Sequence, residues 1–264
     1  MSSEADSVLL KTDNGAGVVT LTLNRPDQFN ALSDELLDGL QQALDAVAQD
    51  SAVRVIVLAA NGRAYCAGHD LKQMRGRPEE TYYQDLFSRC GLLMQTIMRQ
   101  PQPVIARVHG IATAAGCQLV ASCDLAVASD NARFAVSGIN VGLFCSTPSV
   151  ALTRNVGRKR ALEMLLTGEF ISAEQAVMEG LINHAVPAEQ LDQTVAELCD
   201  AICAKSAMAI RTGKEMFYRQ LEMGVAQAYD YASGVMACNM MHEDAAEGID
   251  AFMQKRKPIW KRPA

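Results

Sequence analysis

Two segments of the chain combine small residues with groups that can take part in catalysis. The first is AYCAGHDLK, residues 64–72, with Gly68 at a predicted bend and His69 and Asp70 directly after it. The second is residues 103–119, in which the apolar run PVIARV leads through HGIATAAG into a helix start. Small residues at a helix N-terminus let a ligand approach unpaired backbone N–H groups, and the helix dipole favours negative charge there. The second segment therefore predicts an oxyanion hole.

The elements that must position these segments alternate between strand and helix. Residues 17–23 have the period-two pattern of a half-buried strand. After Ser33, a good N-cap, an apolar stripe at spacings of three and four residues predicts an amphipathic helix through Leu37, Leu40, Leu44 and Val47. Residues 53–60 and 103–110 are typical of buried strands in a parallel sheet. The pattern indicates an α/β fold.

The alternation continues to about residue 187 and then changes. Residues 114–123 predict a short buried helix, and residues 124–129 predict a strand. The sequence from Ser172 to Gln175 matches a capping box and predicts the start of one more helix. From about residue 188 onward only helices are expected, so the α/β body is followed by a helical C-terminal quarter.

Composition and charge exclude several classes of protein. The 264 residues carry 24 basic and 30 acidic side chains, so no basic surplus is left for a nucleic acid. Eight cysteines fall at irregular spacings without a C-x-x-C pair, which argues against a zinc site or a disulfide framework. No apolar run approaches the roughly 18 residues of a membrane span, and the first ten residues are acidic where a targeting peptide would be basic. We expect a soluble cytoplasmic protein with no metal.

The two segments, in this order and at this separation, resemble motifs of the crotonase superfamily, which includes enoyl-CoA hydratases and isomerases. The loop resembles the family pattern A-G-x-D-[LI], and the second segment resembles P-V-I-A-x-V-x-G followed by G-x-x-L. An opening N-R-P-x-x-x-N-A-L, residues 24–32, and a closing F-x-x-K-R-K, residues 252–257, complete the match. The resemblance covers roughly residues 18–258.

The resemblance implies a superhelix of β-β-α units that binds an acyl-CoA thioester, with coenzyme A as part of the substrate and no separate cofactor. It implies a spiral core with the acyl-CoA site over residues 1–200. Residues 201–264 would then form a helical region that builds homotrimers or hexamers. The oxyanion donors would be the backbone N–H groups of Cys66 and Ala115. The path of the acyl group and coenzyme A would be lined by Ala31, Ala64, Ala67, Gly68, His69, Asp70, Lys72, Phe252 and Lys255.

The sequence departs from the family pattern where the proton-transfer carboxylates are expected. Hydratases place glutamates at the positions of Gln118 and Gly138, and related isomerases and dehalogenases use the position of Ser146. A glutamine side chain has no accessible basic pKa, and glycine offers no group at all. We therefore expect little hydratase activity.

Several polar residues in and near these segments have competing interpretations. His69 is favoured as a coenzyme A contact over a catalytic acid or base. Asp70 is favoured as a loop-holding acceptor and Asp124 as a cap or buried hydrogen-bond partner. His109 is interpreted as a structural residue at the end of a strand, and Cys145 as a packed side chain rather than a nucleophile.

Two functions remain open from the sequence, and a third is disfavoured. The first is an enzyme that stabilises a thioester enolate, with decarboxylation or thioester hydrolysis as base-poor reactions. His69, Gln118 or Ser146 would assist such a reaction. The second is a protein that binds acyl-CoA for regulation without turnover. RNA binding is disfavoured because the net charge is −6.

Overall fold

Strands and helices alternate through residues 7–261, the part of the chain that the computed structural model describes. The strands are β1 (Leu9–Asp13), β2 (Val18–Leu23), β3 (Val55–Ala60), β4 (Ala64–Cys66), β5 (Val104–Val108), β6 (Ile111–Thr113), β7 (Leu125–Ser129), β8 (Arg133–Ala135), β9 (Ile171–Ser172) and β10 (His184–Val186). The helices are α1 (Asp34–Ala48), α2 (Leu71–Gly76), α3 (Glu80–Arg99), α4 (Ala115–Ser122), α5 (Ser146–Leu152), α6 (Arg158–Thr167), α7 (Ala173–Met178), α8 (Leu191–Cys203), α9 (Ala207–Gln220), α10 (Val225–Met240) and α11 (Glu243–Met253).

The strands form two sheets whose connections follow a repeated pattern. Six strands pair in the order β1-β2-β3-β5-β7-β10, with every pair parallel except β1 with β2. The second sheet has the order β4-β6-β8-β9. The chain passes from β3 to β4, from β5 to β6 and from β7 to β8, and a helical segment follows each of these pairs. This arrangement confirms the predicted superhelix of β-β-α units in a mixed α/β fold.

Local sequence explains the elements that carry the core. The Ser33 hydroxyl accepts a hydrogen bond from the Leu36 N–H and caps α1 as predicted. Every residue of β3 is buried because the large core packs on one face of its sheet and α8 covers the other through a smaller apolar cluster. That cluster contains Val55, Val57, Ile105, Val127, Leu191, Val195 and Cys199.

The C-terminal region is helical, as the sequence predicts. Helix α9 is fixed to the spiral by a buried ion pair in which Lys214 Nζ lies 2.6 Å from Asp124 Oδ2. Asp124 also accepts the Tyr218 hydroxyl at 2.9 Å and the Val104 N–H at 2.6 Å. The division at residues 200 and 201 stays a prediction, and residue 200 lies inside α8.

Most apolar side chains of α10 and of the end of α11 face outward. Tyr229 is 73% exposed and Met236 is 71% exposed, and α10 has no buried residue. Among residues 7–261, no helix is both long enough and apolar enough to cross a membrane.

Candidate active site

The loop after β4 turns at Gly68 and is held in place by Asp70. Gly68 has φ +92°, a conformation in which a side chain would be strained. Its carbonyl accepts the Leu32 N–H at 2.8 Å. Asp70 caps α2 by accepting the N–H groups of Lys72 and Gln73, and Arg25 pairs with its other oxygen at 2.9 Å.

Two glycines allow this loop to lie directly against the start of α4. A Cβ atom added to Gly116 would be 2.1 Å from the Cys66 carbonyl oxygen. One added to Gly68 would be 2.9 Å from Ala114 Cβ and 3.3 Å from the Ala115 nitrogen. Ala115 is the first residue of α4, so its N–H has no acceptor within the helix. The backbones of Cys66 and Ala115 are therefore brought together at a helix N-terminus.

The residue before this helix has a strained backbone. Ala114 has φ +51° and ψ −122°, which is uncommon for a residue with a side chain. Its N–H donates to the Ala135 carbonyl, and the neighbouring hydroxyls of Thr113 and Ser137 are 2.7 Å apart. Strain of this kind costs roughly 1–3 kcal/mol and often occurs at functional sites.

Arg25 and Asn30 support the loop, although their roles were not predicted from the sequence. The buried Asn30 amide donates to the carbonyls of Asn61 and Ala64, both at 2.8 Å, and its oxygen accepts the Arg25 N–H. Arg25 also donates to the Ala31 carbonyl. Arg25 and Asn30 both belong to the N-R-P-x-x-x-N-A-L motif, and that motif was the only signal that pointed to them.

His69 is partly buried beside the loop, and neither of its ring nitrogens has a hydrogen-bond partner among the described residues. The edge of its ring meets Phe87 at a centroid distance of 5.4 Å. Burial lowers the pKa of His69 to about 4, against smaller raising effects from the Leu32 backbone and the Asp34 charge. His69 is therefore a neutral imidazole at physiological pH.

Gln118 lies one helical turn after Ala114, and its N–H bonds to the Ala114 carbonyl at 3.0 Å. It is 4% exposed, and its side-chain oxygen has no hydrogen-bond partner among residues 7–261. Since buried polar atoms are normally paired, this oxygen is available to a group that enters the site.

Gly138, which the resemblance aligns with the second hydratase glutamate, has no room for a side chain. A Cβ atom there would lie 2.7 Å from the Leu143 carbonyl oxygen and 2.7 Å from Cys145 Sγ. The Gly138 N–H donates to that sulfur at 3.3 Å, and the Gly138 carbonyl accepts the Leu143 N–H. The third position, Ser146, is exposed at the start of α5.

The thiols near this site are poorly suited to act as nucleophiles. Burial raises the pKa of Cys66 to about 12, and burial also raises the pKa of Cys145. A thiol that stays protonated at neutral pH is a weak nucleophile. The site therefore offers the Ala115 N–H at the start of α4, a neutral imidazole and an amide.

The other predicted lining residues fall into two groups. Ala31 and Ala64 are buried and Ala67 is partly buried, whereas Lys72 is exposed on the first turn of α2. Phe252, 85% exposed, lies in the last turn of α11, and Lys255 follows the end of that helix. Asp244, in the first turn of α11, accepts a hydrogen bond from Ser206. His109 has a structural contact, since its Nε2 lies 2.8 Å from the Gly62 carbonyl.

Comparison with known proteins finds similarity over nearly the whole chain. The family model "Enoyl-CoA hydratase/isomerase" matches residues 13–263. The chain is 47% identical to the mitochondrial Enoyl-CoA hydratase domain-containing protein 3 of Xenopus laevis, covering 92% of this chain and 83% of that protein.

Solved structures show the same similarity. An enoyl-CoA hydratase from Mycobacterium smegmatis superposes with a TM-score of 0.95 at 58% identity, covering 96% of this chain and 98% of that chain. Human enoyl Coenzyme A hydratase domain-containing protein 3 superposes with a TM-score of 0.93 at 43% identity, over 96% and 100% of the two chains.

These comparisons correct the expected cellular location. The relatives from Xenopus laevis, rat, mouse and human are all named mitochondrial proteins. The cytoplasmic expectation rested on the cysteine pattern, on the lack of a membrane-spanning apolar run and on the acidic first ten residues, of which residues 1–6 lie outside the described part of the chain. The names of the relatives contradict it, and that prediction is wrong.

Proposed function

Because the chain belongs to the enoyl-CoA hydratase/isomerase family, we propose that it binds an acyl-CoA thioester and polarises the thioester carbonyl with the N–H groups of Cys66 and Ala115. The observation that carries this proposal is the direct contact of the β4 loop with the start of α4. Gly68 and Gly116 permit that contact, since a Cβ atom at either position would overlap the opposite backbone or side chain.

The proposed chemistry is stabilisation of an enolate. As negative charge develops on the thioester oxygen, two backbone donors, one of them at a helix N-terminus, bind it more strongly than they bind the neutral carbonyl. Loss of one such donor costs about 3–4 kcal/mol of transition-state stabilisation in comparable acyl-transfer sites. Backbone donors do not depend on side-chain identity, so Ala115 can serve where the family often has glycine.

The site has few side chains that can transfer a proton. Gln118 orients a polar group but exchanges no proton, and Gly138 contributes no side chain. His69 is the titratable side chain next to Gly68, and with a pKa of about 4 it is a much weaker base than an ordinary histidine. We therefore propose that reactions needing little base, such as decarboxylation or thioester hydrolysis, are favoured over hydration.

Calorimetric titration with butyryl-CoA tests the binding proposal. We expect the wild-type protein to bind and Gly68→Ala to bind at least about tenfold more weakly, because its Cβ atom enters the space of Ala114. Gly91→Ala, in α3, is the matched control, since a Cβ atom there meets nothing within 4 Å. Thermal unfolding shows whether each variant is folded. No binding by the folded wild-type protein, or unchanged binding by Gly68→Ala, would refute the proposal.

A second candidate is a protein that binds acyl-CoA without turnover. It is favoured by Gly138, where backbone and sulfur atoms fill the space that a carboxylate side chain would need. Mixing the protein with crotonyl-CoA, with a two-glutamate hydratase as positive control, tests whether the protein catalyses hydration. If the wild-type protein causes loss of the conjugated-thioester absorbance and His69→Phe does not, catalysis is established. If the absorbance does not change, hydration is excluded, and acyl-CoA binding without turnover and base-poor reactions both remain as candidates.

We also propose that the chain assembles as a homotrimer or hexamer through its C-terminal helices. The exposed apolar side chains of α10 support this, since large apolar patches usually mark interfaces. In such an assembly Phe252 and Lys255 would meet the nucleotide part of coenzyme A.

A further inference from the structure

The chain turns back on itself directly after α11. The Arg256 N–H donates to the Ala251 carbonyl at 3.0 Å, a hydrogen bond that is typical of the Schellman motif at the end of a helix. Lys255 takes the left-handed conformation that this motif needs, with φ +54°, although glycine is the usual residue there. Residues 256–261 then return along α11 towards its first turn, and we call these six residues the strap.

Glu247, in the middle of α11, holds the strap at two points. Its carboxylate accepts both terminal nitrogens of Arg256, one of them at 2.8 Å, and it accepts the Ile259 N–H at 2.7 Å. The hydrogen bonds from Arg256 and then from the Ile259 N–H lower the pKa of Glu247 to about 2. Glu247 is therefore charged at physiological pH, and its removal would release both residues of the strap.

Trp260 joins the strap to the connection between α8 and α9. Its indole N–H donates to the Ala204 carbonyl at 2.8 Å. Its ring lies against α11 at Gly248, where an added Cβ atom would be 3.2 Å from the ring. The absence of a side chain at Gly248 therefore lets the indole lie close to the helix.

Asp244, in the first turn of α11, is a second link to the same connection. One oxygen of this buried carboxylate accepts the Lys261 N–H at 3.0 Å, and the other accepts the Ser206 hydroxyl. Asp244 and Ala251 are the only buried residues of α11. A cleft of about 590 Å³ lies between the first turn of α11 and the end of α1. Helix α11 thus depends on the strap and on Asp244 for much of its attachment.

We propose that the strap opens and closes without unfolding of the spiral, and that acyl-CoA binds with the strap closed. A surface ion pair such as Glu247–Arg256 contributes little on its own, and segments with few buried apolar contacts open at a lower free energy than the whole fold. The strap begins directly after Lys255, so its release also frees the turn that positions this residue. The inference rests on the proposed function, in which Phe252 and Lys255 meet the nucleotide part of coenzyme A.

Acrylamide quenching of the fluorescence of Trp260, the single tryptophan of the chain, reports the state of the strap. Glu247→Ala removes the acceptor of Arg256 and Ile259, so we expect its quenching constant to be at least about twofold higher than that of wild type. Arg256→Ala removes the same ion pair from the side of the strap and should also raise quenching. Far-UV circular dichroism shows that each variant keeps a folded spiral.

Calorimetric titration with butyryl-CoA measures the link to binding. We expect Glu247→Ala to bind at least about threefold more weakly than wild type, because an open strap must close on binding. Glu215→Ala is the matched control. Glu215 pairs with Arg219 on the surface of α9 at 3.1 Å and makes no hydrogen bond or ion pair with the strap in the described part of the chain, so both measurements should stay at the wild-type values.

The two measurements separate failure of the strap from failure of the binding function. Wild-type quenching in both Glu247→Ala and Arg256→Ala would overturn the strap. Raised quenching with an unchanged affinity for butyryl-CoA would overturn its link to binding. Absence of butyryl-CoA binding by the folded wild-type protein would overturn the proposed binding function, and raised quenching in the variants would then leave the opening of the strap intact.

Discussion

At the scale of single residues, Gly138, where the family resemblance places a hydratase glutamate, is packed closely against neighbouring atoms of the chain. The Leu143 carbonyl and the Cys145 sulfur occupy the positions that a Cβ atom would approach to 2.7 Å. A backbone carbonyl group such as that of Leu143 cannot move aside in the way that the end of a flexible side chain can. A single substitution to glutamate is therefore not expected to recreate a hydratase.

Replacement of Gly138 by alanine measures this crowding. We expect Gly138→Ala to lower the free energy of unfolding by about 1–3 kcal/mol, because one methyl group overfills a packed site. Gly213→Ala, in α9, is the control: a Cβ atom there meets nothing within 4 Å, and alanine should stabilise the helix by about 0.5–1 kcal/mol. Urea unfolding measures both. Equal stabilities of Gly138→Ala and wild type would contradict the packing.

Burial of His69 links stability to pH. Its pKa is about 4 in the folded protein against an ordinary 6.5, so between these values the unfolded chain binds more protons. The contribution is fully present above 6.5 and is lost as the pH falls towards 4, by at most about 3 kcal/mol. The wild-type protein should lose more stability than His69→Phe between about pH 7 and pH 4.5 in urea unfolding. Identical pH dependence of the two proteins would contradict this assignment.

At the scale of elements, the position of α9 depends on a buried charge pair. Lys214 and Asp124 have side chains that are 7% and 14% exposed, and Lys214 also donates to the carbonyls of Ile97 and Gln102. Burial lowers the pKa of Lys214, while the Asp124 charge opposes that shift. The pair joins the helical C-terminal region to the end of α3 and the start of β7.

Removal of one partner of the Lys214–Asp124 pair should strongly lower the free energy of unfolding. Lys214→Met leaves the Asp124 carboxylate buried without its cation, which costs about 3–5 kcal/mol in comparable pairs. Tyr218→Phe, which removes one neutral donor to the same carboxylate, should cost about 1 kcal/mol. The double variant Asp124→Asn with Lys214→Met should recover part of the loss. Urea unfolding checks all three, and a cost below 1 kcal/mol for Lys214→Met would refute the anchoring role.

The elements also show how far the sequence predicts the fold. Period-two and helical patterns located β2, α1, β3, β5, α4 and β7, because each buries a continuous apolar face. The strands of the second sheet have only two or three residues, too few to show a period, and β1 was not predicted either. The motifs located the β4 loop. They gave no sign that Leu143 and Cys145 close the space at Gly138, because that depends on a non-local packing contact.

At the scale of the whole molecule, the uncovered faces of the C-terminal helices require an explanation. Along α10 and α11 the exposed apolar side chains include Val225, Tyr229, Met236, Met240, Phe252 and Met253. Exposed apolar groups on this scale are typical of subunit interfaces. A homotrimer or hexamer would cover them.

Light scattering after gel filtration tests the assembly. We expect the wild type to elute as a trimer or hexamer and Met236→Asp to shift towards the monomer, because a buried unpaired charge in an apolar interface is costly. Met178→Asp, at a 72% exposed methionine of α7 in the spiral body, is the matched control and should keep the wild-type mass. A monomeric wild-type protein would contradict the proposal.

The most direct test of the central claim is the carbonyl resonance of a thioester bound to the protein. Butyryl-CoA labelled with carbon-13 at the carbonyl reports the polarisation of that bond in an NMR spectrum. We predict a downfield shift on binding, because two N–H donors at Cys66 and Ala115 withdraw electron density from the carbonyl carbon. A thioester that binds with its carbonyl resonance unmoved from that of the free ligand would contradict the proposed oxyanion hole.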